Sequence, residues 1–120
     1  MDSKELINII SQIIYDKKGF NILAIDIREI STITDYLIIA EGSVERHIKA
    51  IANEIVVELK KLKETPLHVE GLEVSDWVII DYLNIMVHLF KPDMRNLYAL
   101  EQLFSKGKII DLNIKVESQA

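Results

Sequence analysis

The segment SDWVIIDYLNIMVHLF, residues 75–90, contains two short apolar runs separated by a polar interval. The runs 77–80 and 85–89 are rich in β-branched and aromatic residues, which suit a pleated, half-buried surface. They therefore predict the two strands of a hairpin. Trp77, Asp81 and His88 stand at the margins of this hairpin, and their residue types raise the question of what they contact.

Three other segments have the apolar spacing of amphipathic helices. The first is predicted over 3–18 and the second over about 44–63, with Ser43 as the cap of the second helix. Asp93 is the predicted cap of a third helix. Each helix presents one apolar stripe, so each is expected to pack against a sheet.

Further strands are predicted between and after these helices. They are NILAIDI (21–27), DYLIIAEG (35–42), the short LHVEG (67–71) and IIDLNIKV (109–116), whose alternating pattern is typical of a half-buried strand. The sequence contains no repeat, low-complexity segment or internal linker. We therefore predict a single α/β domain over residues 1–120, with a mixed β-sheet and flanking helices.

The composition is that of a folded, acidic domain. The 120 residues suffice for one core, and a hydrophobic content of 49% excludes disorder. The absence of cysteine excludes a disulfide framework, a thiolate metal site and a cysteine nucleophile. The net charge of −5 favours a basic protein surface over nucleic acid as the partner, since nucleic-acid binders need clustered Lys and Arg.

The sequence gives no sign of a membrane or export segment. No apolar run reaches the ~18 residues of a membrane-spanning helix. The start, MDSKELINII, lacks a basic region followed by a cleavage site. We therefore expect a cytoplasmic protein that does not contact a membrane.

The residues that could carry out catalysis do not form a site in the sequence. No HxxxH or HxH pair occurs, so a metal site is not predicted. The Gly42-Ser43 turn before a helix could hold a phosphate, which leaves a nucleotide-binding or nucleotidyl-transferring enzyme as the alternative. Such an enzyme needs paired acids to hold magnesium, and no Asp-x-Asp or Asp-x-Glu occurs in the chain. We predict neither an enzyme nor a cofactor.

Aromatic and charged residues instead suggest a binding face. Trp77, Asp81, Tyr82 and His88 lie in the hairpin, and Arg95, Tyr98 and Glu101 follow at three-residue spacing along one side of the third helix. Trp, Tyr and Arg are the residue types that most often anchor protein interfaces. The simpler interpretation is that Trp77 and Tyr98 are core residues and that Arg95 and Glu101 form a surface pair. We favour an interface role for Trp77, because Asp76 and Asp81 flank its short run.

The segments ITDYLIIAEGSVERHIKAIANEI, VEGLEVSDWVIIDYLNIMVHLF and RNLYALEQLF together resemble the ribosomal silencing factor family, also called Iojap-like. The resemblance covers about residues 3–104 in order, and residues 105–120 extend beyond it as a possible extra strand. It implies a nucleotidyltransferase-like fold without the catalytic acids. It also implies binding to the large ribosomal subunit through ribosomal protein fourteen, which blocks joining of the small subunit and represses translation. Members often form homodimers, and the terminal strand would offer an edge for that contact.

The resemblance also implies site residues, and the chain departs from the family pattern in the hairpin turn and at Phe104, where a Trp is common. The matching positions that we predict to bind the partner are His47, Glu70, Trp77, Asp81, Tyr82, His88, Arg95, Tyr98 and Glu101. The other matching positions are Asp35, Tyr36, Gly42, Ser43, Arg46 and Gly71. In the hairpin turn, Leu83-Asn84 replaces a Gly-Asp pair that many members have, and we predict that Asn84 takes any positive φ there.

Overall fold

The helices and strands lie close to the predicted segments in a computed structural model, which describes residues 1–94 and 105–116. The helices are α1 (Ser3–Asp16) and α2 (Glu45–Lys61). The strands are β1 (Phe20–Asp26), β2 (Tyr36–Glu41), β3 (His68–Glu70), β4 (Trp77–Asp81), β5 (Ile85–Phe90) and β6 (Lys108–Ile109). In these described ranges, no helix is long and apolar enough to cross a membrane.

The six strands form one sheet in the order β3-β4-β5-β2-β1-β6. The β2–β5 pair is parallel, and the other neighbouring pairs are antiparallel. The predicted mixed sheet of an α/β domain is thus confirmed. The parallel pair is closed by a crossover that contains α2, because parallel strands cannot be joined by a tight turn.

The sheet has an apolar layer on each face. The helix-side core lies between the sheet and both helices, with Ile10, Ile38, Ile51 and Val87 among its fully buried members. The second-face cluster lies on the opposite side of the sheet. Its buried members are Ile25, Ile27, Leu37, Ile39 and Phe90, with Leu23, Trp77, Met86 and Met94 packed against them. Alternate residues of the strands therefore belong to different cores.

Two predicted helix caps are wrong. The N-cap of α2 is Val44, and no side chain makes a capping hydrogen bond there. Ser43 lies one residue too early, and its Oγ is 3.1 Å from His47 Nδ1. Asp93 is not a cap either, since residues 92–94 are already helical. The rest of the third predicted helix lies outside the described residues.

The C-terminal segment keeps its predicted alternation but not its predicted length as a strand. The sheet pairing of β6 with β1 covers only Lys108 and Ile109. The chain then crosses α1, where the backbone N–H groups of Asn113 and Lys115 donate to the side chains of Asn8 and Gln12 at 2.8 and 2.7 Å. A strand over 109–116 is therefore wrong, because a helix rather than another strand lies beside most of this segment. The edge that it offers to a second copy is correspondingly short.

The turn between β4 and β5 has its positive φ at Leu83, with φ of 77°, and not at Asn84 as predicted. The N–H of Asn84 donates to the carbonyl of Tyr82 at 3.0 Å, which closes a three-residue γ-turn around Leu83. A γ-turn with a positive central φ is rare and strained for a residue with a Cβ. Glycine would adopt the φ of this position with less backbone strain than leucine does.

Replacing Leu83 by glycine should stabilise the protein. Relief of backbone strain contributes about 1–3 kcal/mol, and the greater freedom of glycine in the unfolded chain removes about 0.5–1 kcal/mol. We expect Leu83→Gly to raise the free energy of unfolding by about 1 kcal/mol in urea denaturation.

Leu67→Gly is the matched control, because Leu67 is also an exposed leucine outside the helices but lacks a positive φ. We expect it to lower the free energy of unfolding. A similar loss in Leu83→Gly would show that the turn stores no strain.

Candidate functional site

Four of the predicted partner-binding residues lie together on the second face of the sheet, at its β3–β4–β5 end. Trp77 and Asp81 alternate with Val78 and Ile80, which belong to the helix-side core. His88 is opposite Ile79 in the β4–β5 pair, and Glu70 is opposite Ile79 in the β3–β4 pair. The register thus places Glu70, Trp77, Asp81 and His88 on one face. We call these four residues the acidic–aromatic surface.

Trp77 is half-buried and held in a fixed orientation. Its indole Nε1–H donates to His88 Nδ1 at 3.0 Å, and its ring stacks on Phe90 with centroids 5.1 Å apart. The environment of Trp77 thus has features of a core residue, because its ring packs on the second-face cluster, and of an interface residue, because the ring is still partly accessible. A rigid aromatic ring with a satisfied N–H loses little conformational entropy when a partner covers it.

His88 is the buried member of the surface and is neutral in the fold. Its residue is 8% exposed, and burial lowers the pKa of the imidazole to about 4. A neutral ring agrees with the geometry, since Nδ1 must carry a lone pair to accept the indole N–H of Trp77. His88 is therefore a hydrogen-bonded residue inside the sheet.

Acidic groups border the aromatic part of the surface. The imidazole Nε2 of His68 lies 3.5 Å from a carboxylate oxygen of Glu70 and 3.7 Å from one of Asp81. The side chain of Glu70 is 62% exposed, whereas Asp81 is mostly buried and accepts the N–H of Leu83 at 2.8 Å. Glu70 is thus available to a partner, and Asp81 also fixes the turn.

The residue that precedes β4 is also connected to the start of α2 by charge. The ammonium group of Lys91 lies 2.9 Å from Glu45 and 3.3 Å from Asp76. This contact joins the start of α2 to the residue that precedes Trp77. It raises the pKa of Lys91, with the hydrogen bond to Glu45 as the main cause. The contacts of Lys91 with Glu45 and Asp76 therefore connect one border of the acidic–aromatic surface to the start of α2.

Two predicted partner-binding residues lie elsewhere. Tyr82 belongs to the helix-side core, where burial raises the pKa of its hydroxyl to about 12. The hydroxyl has no hydrogen-bond partner among the residues that the structure describes. His47 lies on α2, where its Nδ1 accepts the N–H of Ser43 at 2.9 Å and its Nε2 donates to the carbonyl of Lys17 at 2.7 Å. His47 therefore joins two loops within the chain.

Three further predicted residues, Arg95, Tyr98 and Glu101, lie outside the described residues. Sequence reasoning missed Phe90 and His68, which contact Trp77 and the two acids respectively. The signal for both was the strand register. Once Trp77 pairs with Phe90 and His68 pairs with Asp81, side-chain alternation places them on the second face.

The Gly42-Ser43 turn has structural contacts that account for both residues. The N–H of Gly42 donates to the carbonyl of Phe90, and the N–H of Ser43 donates to His47. A Cβ at Gly42 would lie 2.7 Å from Ile48, so glycine permits the close approach of α2. Both amide groups are therefore engaged within the chain rather than open to a phosphate. In residues 1–94 and 105–116, no group of three His, Cys, Asp or Glu side chains could hold a metal ion.

Comparison with known proteins gives a consistent result over most of the chain. The family described as "Ribosomal silencing factor during starvation" matches residues 1–120. The Ribosomal silencing factor RsfS of Bacillus subtilis is 32% identical over 113 residues, which are 94% of this chain and 96% of that protein. A crystal structure of a Chromobacterium violaceum protein is similar with a TM-score of 0.85 and 28% identity, covering 96% of this chain and 95% of the other.

A mouse protein named "Mitochondrial assembly of ribosomal large subunit protein 1" is similar over a shorter part of the chain. It is 33% identical over 75 residues, which are 60% of this chain and 33% of the mouse protein. The name of the mouse protein connects that protein with the large ribosomal subunit.

The buried His88 should make the fold sensitive to mild acid. Its pKa falls from the ordinary value of 6.5 to about 4 on folding, so its contribution to stability is complete above pH 6.5 and is lost as the pH falls toward 4. We expect the loss to reach about 3 kcal/mol in the free energy of unfolding, measured in urea between pH 7 and pH 4. The variant His88→Gln keeps an acceptor for Trp77 but cannot titrate, so it should lose less.

His68→Gln is the control, because that variant removes a half-exposed histidine. It should follow the pH dependence of the unmodified protein. The same steep loss in His88→Gln would assign the acid sensitivity to other groups.

Proposed function

Because this chain belongs to the ribosomal silencing factor family, we propose that it binds the large ribosomal subunit and obstructs joining of the small subunit. Ribosomal protein fourteen provides the main contact, and translation falls as fewer subunits join. The protein acts in the cytoplasm by occupying a surface, so its function requires neither catalysis nor a cofactor.

The observation that carries this proposal is the acidic–aromatic surface. It combines an accessible aromatic ring with exposed negative charge on the sheet face opposite both helices. Proteins that lie against ribosomal RNA have basic surfaces, and acids beside an aromatic anchor are complementary to such a surface. The chain's net charge of −5 would also steer it toward a basic partner.

The size of the domain supports a steric mechanism. The chain measures 39 × 33 × 32 Å along its principal axes. A rigid body of this thickness on the joining surface would hold the two subunits apart by far more than the reach of a hydrogen bond. Binding alone would therefore be sufficient to prevent joining. The name of the mouse relative supports the large subunit as the one that is bound.

The proposal is tested by sedimentation with purified ribosomal subunits. We expect the protein to sediment with large subunits and not with small ones, and to lower the fraction of joined ribosomes in proportion to its occupancy. Equal binding to both subunits, or binding without a loss of joined ribosomes, would contradict the mechanism.

A charge reversal at Glu70 tests the acidic–aromatic surface itself. Glu70 is well exposed, so Glu70→Lys should leave the melting temperature nearly unchanged. It should weaken binding to large subunits about tenfold, because a positive charge then faces a basic surface. The loss should shrink as salt rises, since ions screen exposed charges.

Glu54→Lys is the matched control, since it makes the same charge change on α2, on the other side of the sheet. We expect it to bind large subunits like the unmodified protein. An equal loss in both variants would mean that total charge, rather than this surface, governs binding.

A further inference from the structure

The strained turn at Leu83 combines two unfavourable features. The backbone has a φ of 77° in a γ-turn, and the side chain is 59% exposed. Backbone strain of this kind destabilises the folded chain and occurs most often at functional sites such as active sites, ligand clamps and switch regions. Glycine would form the same turn without the strain, so the leucine side chain has no evident role in closing it.

Surrounding groups impose the conformation of this turn. The N–H of Leu83 donates to Asp81 Oδ1 at 2.8 Å, and its carbonyl accepts the hydroxyl of Thr34 at 3.2 Å. The carbonyl of Asn84 accepts the N–H groups of Asp35 and Tyr36 at 3.1 and 2.9 Å. These contacts fix the backbone of the turn from both sides, and the side chain of Leu83 remains exposed.

Two more apolar side chains are exposed on the segments that meet at this turn. Ile33, which precedes Thr34, is 74% exposed, and Leu67 is 62% exposed. The N–H of Leu67 donates to the carbonyl of Asp81 at 2.7 Å, so its segment is joined directly to the end of β4. Single exposed apolar residues are ordinary, but three on hydrogen-bonded neighbouring segments form a group that a partner could cover. We call Ile33, Leu67 and Leu83 the apolar tip.

Acidic residues border the apolar tip. Asp35 and Asp81 make hydrogen bonds to the turn, and Glu64 lies close enough to Tyr82 to raise the pKa of that hydroxyl further. Asp81 also belongs to the acidic–aromatic surface, so the two regions are continuous. A complementary partner would have an apolar recess bordered by Lys and Arg.

We propose that the apolar tip is a second part of the contact with the large ribosomal subunit, with Leu83 inserted into an apolar recess of a basic ribosomal protein. This inference rests on the proposed function and adds residues that the acidic–aromatic surface does not include. In this proposal, the side chain of Leu83 stabilises the complex by more than the strained turn destabilises the free protein.

Three substitutions at Leu83 separate the side chain from the strain. Leu83→Gly removes both, Leu83→Ala keeps the strained backbone position, and Leu83→Met keeps an apolar side chain of similar size. We expect Leu83→Gly to raise the melting temperature by about 3 °C and yet weaken binding to purified large subunits about tenfold. Leu83→Ala should bind as weakly, and Leu83→Met should bind like the unmodified protein.

Val57→Ala is the control, because it trims an exposed apolar side chain on α2 and should not affect binding. Unchanged binding by Leu83→Gly and Leu83→Ala, with normal binding by the unmodified protein, would overturn the apolar tip and leave the proposed function intact. Weak binding by Leu83→Gly alone would overturn it too, since the turn rather than the side chain would then matter. No binding by the unmodified protein would overturn the proposed function and this inference together.

Discussion

The burial of β2 on both faces is the constraint on which the rest of the structure depends. Leu37 to Ala40 are at most 1% exposed, and the strand lies between β5 and β1 in the middle of the sheet. A strand that is apolar on both sides needs cover on both sides. The helices α1 and α2 cover one face, whereas the second face carries a smaller cluster. Among the residues that the structure describes, this asymmetry leaves the second face without cover from α1 or α2 at its β3–β4–β5 end.

The hydrogen bond between Trp77 and His88 connects the fold to the proposed function. The buried imidazole of His88 accepts the indole N–H of Trp77, and this hydrogen bond orients the aromatic ring that a partner would contact. The bond requires an unprotonated Nδ1, and burial favours that neutral state. The orientation of the Trp77 ring therefore depends on the neutral state of His88. Trp77 is accordingly both a structural residue and an accessible one.

The proposed contact surface uses residues with different physical roles. Glu70 contributes exposed charge, which affects the rate of association and specificity more than stability. Leu83 contributes exposed apolar area at the expense of a relaxed backbone. Stability and binding are thus opposed at the turn, as is common where a protein keeps an unfavourable conformation for function. At Glu70 they are nearly independent.

The sequence by itself determined the elements, the fold class and the family, because hydrophobic periodicity and short motifs are local signals. It placed Trp77 and His88 in the two strands of a hairpin, with Asp81 at the end of the first strand. Tertiary structure decided which side chains meet, since strand register depends on turns whose geometry the sequence did not show. Register separated Tyr82, in the helix-side core, from Trp77 on the second face, and it placed the buried Phe90 and the half-exposed His68 beside the acidic–aromatic surface. The positive φ of the hairpin turn lies at Leu83 rather than at Asn84, and the C-terminal segment packs on α1 instead of continuing β6. In both places, hydrogen bonds from distant residues outweigh the local preference of the chain.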